Sequence, residues 1–158
     1  MAKTIIVYYS STGNTYMIAK YLHDQLDWEM VAVSLKKPLR LKGFFKYLYG
    51  GFMAISGCRP KLDNIEVDWD EFDRIIIASP IWAGRMAPAI RSLIESKVFA
   101  NKDIYFLYTN EGGAKNIPRS ARKIISANNQ LKGTFSCRDV AKNYEQVKKE
   151  ALDWVKSL

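Results

Sequence analysis

Histidine and cysteine are scarce in this chain of 158 residues, which contains one His and two Cys. Cys58 and Cys137 stand far apart, form no CxxC and cannot build a zinc site between them. They read as reduced, structural thiols. His23 has no ligand cluster around it and reads as a surface or packing residue in a helix. No metal centre is expected. Long hydrophobic runs are also missing. The longest, around Ile75–Trp82, falls well short of the ~20 residues that a membrane span needs. The N-terminus carries one Lys and a short apolar stretch before turning polar at Ser10, which does not fit a secretory signal. The expected setting is therefore the cytoplasm. No nucleophile–base arrangement is evident, so hydrolysis finds no support and no catalytic side chain is assigned.

What is present suits a globular protein: 48% hydrophobic residues, 25% charged, and a length that fits one domain. The net charge of +8 is unevenly spread. Acid is missing altogether from residues 36–61, which hold Lys36, Lys37, Arg40, Lys42, Lys46, Arg59 and Lys61. The rest of the chain is close to neutral. Basicity on this scale makes nucleic acid the default partner class. Its concentration in one segment instead ties it to that segment's own partner, and nucleic-acid binding is not expected of the fold.

Hydrophobic periodicity predicts a β–α alternation. Residues 3–9, 29–34, 73–79, 102–109 and 133–139 read as strands, the first, third and fourth strongly apolar. Helices are expected from Asn14 (Met17, Ile18, Tyr21, Leu22 and Leu26), after Pro88 (Ile90, Leu93 and Ile94), over Ile117–Ala127, and over Asn143–Lys156 (Val147, Ala151, Leu152 and Val155). Such alternation predicts an α/β domain with a parallel sheet between two helical layers. Ligands of these sheets bind beyond the carboxyl ends of the strands, where strand order reverses. The loops to watch are therefore Ser10–Thr15, Pro80–Arg85 and Asn110–Gly113.

The first of these, Ser10-Ser11-Thr12-Gly13-Asn14-Thr15, joins a buried strand to a helix. A helix N-terminus offers free N–H groups and partial positive charge. Gly13 lets the backbone approach an anion, and four polar side chains surround it. A plain N-cap needs only one of them. The loop is a phosphate cradle with no cationic side chain of its own. It lacks the lysine of a Walker loop and the three glycines of a dinucleotide fingerprint.

The run Val7-Tyr8-Tyr9-Ser10-Ser11-Thr12-Gly13-Asn14-Thr15 resembles the phosphate loop of the flavodoxin family, a hydroxyl-rich [ST]-x-T-G-x-T after the first strand. Ser79-Pro80-Ile81-Trp82-Ala83-Gly84 is similar to the P-I-W-x-G segment of bacterial flavodoxin-like proteins, and Thr109-Asn110-Glu111-Gly112-Gly113 is a weaker match to the second flavin-flanking loop. The resemblance spans nearly the whole chain outside 36–61. It implies a three-layer α/β/α fold with a five-stranded parallel sheet in the order 2-1-3-4-5, and non-covalent FMN as cofactor. Ser10, Thr12, Gly13, Asn14 and Thr15 would hold the phosphate, with Ser11 contributing its backbone. Pro80, Ile81, Trp82, Ala83 and Gly84 would flank the isoalloxazine, Trp82 packing on the ring and Gly84 allowing the backbone to turn toward flavin N5. Asn110, Glu111, Gly112 and Gly113 would face the pyrimidine edge.

The resemblance further implies an electron-transfer protein working with a redox partner protein. The other readings are a flavin oxidoreductase acting on a quinone or porphyrinogen, and a binding module that has lost FMN. A phosphoacceptor receiver domain would want acids at the end of the first strand, where Tyr8-Tyr9-Ser10 supplies none. Electron-carrier flavodoxins are acidic and this chain is basic, with Arg85 next to the second motif. The expectation is that Arg85 stabilises the anionic reduced flavin.

Residues 36–61 interrupt the alternation between the second and third strands. Phe44, Phe45, Tyr47, Leu48, Tyr49, Phe52, Met53 and Ile55 would put apolar groups on most sides of a helix there. Such a segment needs cover. One reading is a crossover element packed on the protein's own sheet. The other is docking on a partner or on an anionic membrane surface, for which basic flanks and aromatic filling are the signature.

Overall fold

The computed structural model of the protein describes residues 2–112 and 116–158. Side chains alternate across a strand, so a strand apolar on both sides must be covered on both sides. In β1 (Thr4–Tyr8) and β3 (Arg74–Trp82), Ile5, Val7, Ile75 and Ile77 enter one core while Ile6, Ile76 and Ala78 enter the other. The remaining strands are β2 (Glu29–Ala32), β4 (Arg85–Met86), β5 (Asp103–Asn110) and β6 (Gln130–Arg138). The principal strands lie in the order β2-β1-β3-β5-β6, all parallel, which is the expected 2-1-3-4-5 topology. β4 pairs antiparallel with the end of β3.

One face is covered by α1 (Asn14–Leu26) and α5 (Val140–Lys156), whose Ile18, Ala19, Leu22, Val147, Ala151 and Val155 are buried against Ile6, Ile76 and Leu107. The other carries α3 (Pro88–Glu95) and α4 (Ile117–Ile125), which bury Ile90, Leu93, Ile94, Ile117, Ala121 and Ile125. Pro88 opens α3, where its missing N–H costs nothing. α2 (Gly43–Ile55) is the crossover between β2 and β3 and lies over the end of β3. Residues 36–61 are therefore part of the scaffold on one side, and Arg59 fastens their end to Glu95 of α3, a carboxylate that Arg91 of the same helix also holds.

The expected element boundaries shift most in three places. β3 runs to Trp82 instead of ending at Ser79, and then turns back through β4, so Pro80–Arg85 is a strand end and hairpin, not an irregular loop. β6 starts at Gln130, ahead of the expected residue 133. It is one of the two edge strands, where polar residues such as Gln130 and Lys132 remain exposed and mask the apolar signal. α5 begins at Val140, with a non-helical Asn143 (φ −125°, ψ 30°) interrupting its first turns.

Candidate functional site

The three loops after β1, β3 and β5 converge, because these strands are parallel neighbours in the sheet. At the first, Gly13 has φ +99° and reverses the chain into α1. A residue with a side chain is strained there. The first intrahelical bond runs from the Met17 N–H to the Gly13 carbonyl at 2.9 Å. The N–H groups of Asn14, Thr15 and Tyr16 therefore have no acceptor within the helix and face outward at its positive end. The Gly13 N–H donates to Ser10 Oγ at 3.1 Å, so Ser10 braces the loop.

Thr15 behaves differently from its neighbours. Its side chain is buried and its Oγ1 lies 2.8 Å from Thr109 Oγ1, itself buried, at the end of β5. The hydroxyl thus ties the first loop to the third, and only the backbone of Thr15 remains available at the helix start. Thr15→Val is expected to cost about 1–3 kcal/mol, because the buried Thr109 hydroxyl loses its protein partner. Urea unfolding should show the loss, and Thr15→Ser, which keeps the hydroxyl, should recover most of it.

The second loop is a tight hairpin. Ile81 pairs with Met86 and Trp82 with Arg85, leaving Ala83 and Gly84 as a two-residue turn. Both have positive φ, +46° and +73°, the geometry that matches strand twist in such turns. The buried Ser79 fixes the hairpin base: its Oγ donates to the Pro80 carbonyl at 2.9 Å and accepts the Ala87 N–H at 3.0 Å. Trp82 meets Tyr9 edge-on with ring centroids 5.8 Å apart. Gly50 of α2 lies so close to the indole that a Cβ there would be 3.2 Å from Trp82 Cε3. The helix is seated on the tryptophan through a glycine.

At the third loop, the Asn110 side chain accepts the Gly112 N–H at 3.1 Å and donates to Ser136 Oγ at 2.8 Å. The Asn110 carbonyl accepts the Asp139 N–H at 2.8 Å, joining this loop to the start of α5. Gly112 has φ +127°, and the Arg138 guanidinium lies beside it. Gly113 lies outside the described residues.

These loops and α2 enclose a cleft of about 430 Å³. Of the residues expected to bind a cofactor, Ser11, Thr12, Asn14, Pro80, Ile81, Trp82, Ala83, Gly84, Asn110, Glu111 and Gly112 line it. Ser10, Gly13 and Thr15 stand behind the lining as supports. Lys46, Tyr47, Gly50 and Gly51 of α2 complete one wall, with Thr109 and Val140. Thr109 opens the third motif; the other five carry no site signal of their own in the sequence.

Lys46 changes the electrostatics. Its Nζ donates to the Ser11 carbonyl at 3.3 Å, so the cradle does have a cation, supplied from outside the loop. Arg85, the ladder partner of Trp82, is not among the residues lining this cleft; it lines a separate crevice with Met53, Ala54 and Cys58. The only sequence signal for Lys46 was its place in the acid-free segment.

The remaining candidates stay structural. His23 sits in the last turn of α1 with Nδ1 2.6 Å from the Trp28 carbonyl, closing the turn into β2. Cys137 is fully buried, and burial pushes its thiol far above the ordinary range. No group of His, Cys, Asp and Glu arranged to hold a metal occurs among the described residues, and no helix among them is long and apolar enough to cross a membrane.

The donor set suits an anion joined to a flat apolar group. Helix N–H groups, hydroxyls and one ammonium lie at one end of the cleft, and Trp82 with the hairpin backbone at the other. The volume falls within the usual range for small-ligand sites.

No protein-family model matches the chain, and no curated protein sequence does. Solved structures match closely in shape. A flavoprotein from Lactobacillus acidophilus NCFM, crystallised in complex with FMN, superposes with a TM-score of 0.77 at 20% identity, over 92% of this chain and 100% of that one. A candidate flavoprotein from Bacteroides eggerthii DSM 20697 gives 0.80 at 16% identity, over 99% and 98% of the two chains. A flavodoxin, WrbA-like protein from Agrobacterium tumefaciens gives 0.53 at 12% identity, over 97% and 94%. The strand order, the covered sheet faces and these superpositions agree: the chain has the α/β fold of the flavodoxin-like flavoproteins.

Proposed function

We propose that the cleft binds FMN and that the protein transfers electrons through the bound flavin. One observation carries this reading: the left-handed Gly13 turn sets the start of α1, with its unpaired N–H groups, beside a cleft whose opposite wall is the Trp82–Gly84 hairpin. The solved relative from Lactobacillus acidophilus contains FMN and has the same fold, which supports the reading. A bound flavin supplies one- or two-electron chemistry at its ring.

The chain's own residues bind and orient. The N–H groups of Asn14, Thr15 and Tyr16 take the phosphate, with Thr12 and Asn14 side chains beside them and Lys46 as counter-ion. Trp82 walls the ring side, and α2 excludes water from that wall. The Ala83–Gly84 turn sets peptide groups against the ring edge. Ala83, held at φ +46°, puts strain at the point where a backbone rearrangement would act, and Gly84 beside it turns freely.

The test is direct. Protein purified with FMN should be yellow, show the flavin visible bands, and release FMN on denaturation. Apoprotein should quench FMN fluorescence at a one-to-one ratio, and dithionite should bleach the bands reversibly. A colourless protein that leaves added FMN fluorescence untouched overturns the proposal.

A further inference from the structure

α2 buries Gly50, Met53 and Ala54 and turns the rest of its apolar residues outward. Phe44, Leu48, Phe52 and Ile55 recur at three- and four-residue steps, which places them on one face, with Phe45 beside them. Phe44, Phe45 and Tyr47 are each about 70% exposed and Phe52 66% exposed. Thirteen residues of helix give this stripe a length of ~20 Å. A run of large apolar side chains in water on a monomer marks an interaction surface.

The surrounding charge identifies the occupant. No acid occurs between residues 36 and 61, and among the described residues no carboxylate pairs with Lys36, Lys37, Arg40, Lys42, Lys46 or Lys61. Two copies meeting through this face would bring like charges together around the contact. An apolar stripe rimmed by cations alone fits a surface that is apolar inside and anionic outside, which is the headgroup boundary of a lipid bilayer.

We propose that α2 docks the protein on anionic membrane surfaces, with Phe44, Phe45, Leu48 and Phe52 entering the acyl boundary and the flanking lysines and Arg40 on the headgroups. Tyr47 lines the cleft and is exposed on the helix, so docking sets the mouth of the cleft against the lipid. A lipid-soluble electron acceptor or donor would then reach the cleft without crossing water. This last clause rests on the FMN reading; the docking itself does not.

Vesicle co-sedimentation tests it, run with apoprotein and again after FMN addition, so that a failed flavin reading leaves the lipid result intact. Binding to phosphatidylcholine vesicles containing phosphatidylserine should exceed binding to phosphatidylcholine alone by at least about ten-fold, and should weaken in high salt. The triple variant Phe44→Ser, Phe45→Ser, Phe52→Ser should lose about ten-fold or more. Lys36→Gln, Lys37→Gln, Arg40→Gln and Lys42→Gln together should abolish the preference for anionic lipid. These residues are exposed, and far-ultraviolet circular dichroism should confirm that both variants fold. Three results overturn the proposal: sedimentation indifferent to phosphatidylserine, a triple-serine variant that binds as the parent does, or tighter binding to a single-stranded oligonucleotide than to the vesicles. A dimer in sedimentation velocity that the triple-serine variant dissociates overturns it too, by making a second copy the occupant.

Discussion

Gly13→Val is expected to weaken FMN binding by at least about 100-fold while leaving riboflavin affinity nearly unchanged. Nothing lies within 4 Å of a Cβ built on Gly13, so the substitution meets no clash. The damage comes from the backbone. At φ +99° a β-branched residue is a true outlier, and the left-handed region costs about 1–2 kcal/mol for an L-residue. Relief requires the turn to rotate, which takes the Gly13 N–H off Ser10 Oγ and spreads the N–H groups at the start of α1. Loss of two hydrogen bonds to a charged phosphate, at ~1.5–3 kcal/mol each, corresponds to roughly 10²–10⁴ in Kd. Riboflavin has no phosphate, so its affinity reads the ring half of the cleft alone. Isothermal titration with both ligands measures the two halves separately. A valine variant that keeps the parent's preference for FMN over riboflavin would place the phosphate elsewhere.

Gly50→Leu should be the most destabilising single change in α2. Glycine inside a helix is normally worth replacing, since alanine gains about 1 kcal/mol. Here the Cβ would sit 3.2 Å from Trp82 Cε3 and 3.3 Å from Cζ3, and a leucine cannot be placed without lifting the helix off the indole. Overpacking of this kind costs about 1–3 kcal/mol, or about 3–10 °C in Tm for a domain of this size. Because Lys46, Tyr47, Gly50 and Gly51 form one wall of the cleft, FMN affinity should fall with stability. Gly51→Ala is the control. Its Cβ would lie 3.7 Å from Ala83 Cβ, an ordinary contact, so stability should be unchanged or rise by up to about 1 kcal/mol. Equal losses in the two variants would mean that α2 is not seated on Trp82.

The two glycines also show how far the sequence could be read. Gly13 was legible because a hydroxyl-rich turn between an apolar strand and an amphipathic helix has few uses, and its neighbours supply the chemistry locally. Gly50 was not, since its reason for being glycine is an indole that approaches from another element. The hairpin is hidden in the sequence for a related reason. Ala83-Gly84 carries no Asn-Gly signal, and a strand end that pairs with the two residues after its turn looks like loop until the pairing is seen. At Thr15, the sequence shows a hydroxyl next to the helix start, but its burial against Thr109 depends on where β5 ends.

Local physics alone determined the β–α alternation, the two-sided burial of β1 and β3, the helix start at Asn14, and the basic aromatic character of 36–61, because each depends on residues within a few turns of one another. Tertiary structure decided which cation serves the cradle. Arg85 adjoins the Pro80–Gly84 motif in sequence, yet it lines a separate crevice and not the cleft. Lys46 stands 35 residues beyond Ser11 and reaches its carbonyl. The seating of α2 on Trp82 sets that distance, and the range of an electrostatic contact is measured through space, not along the chain.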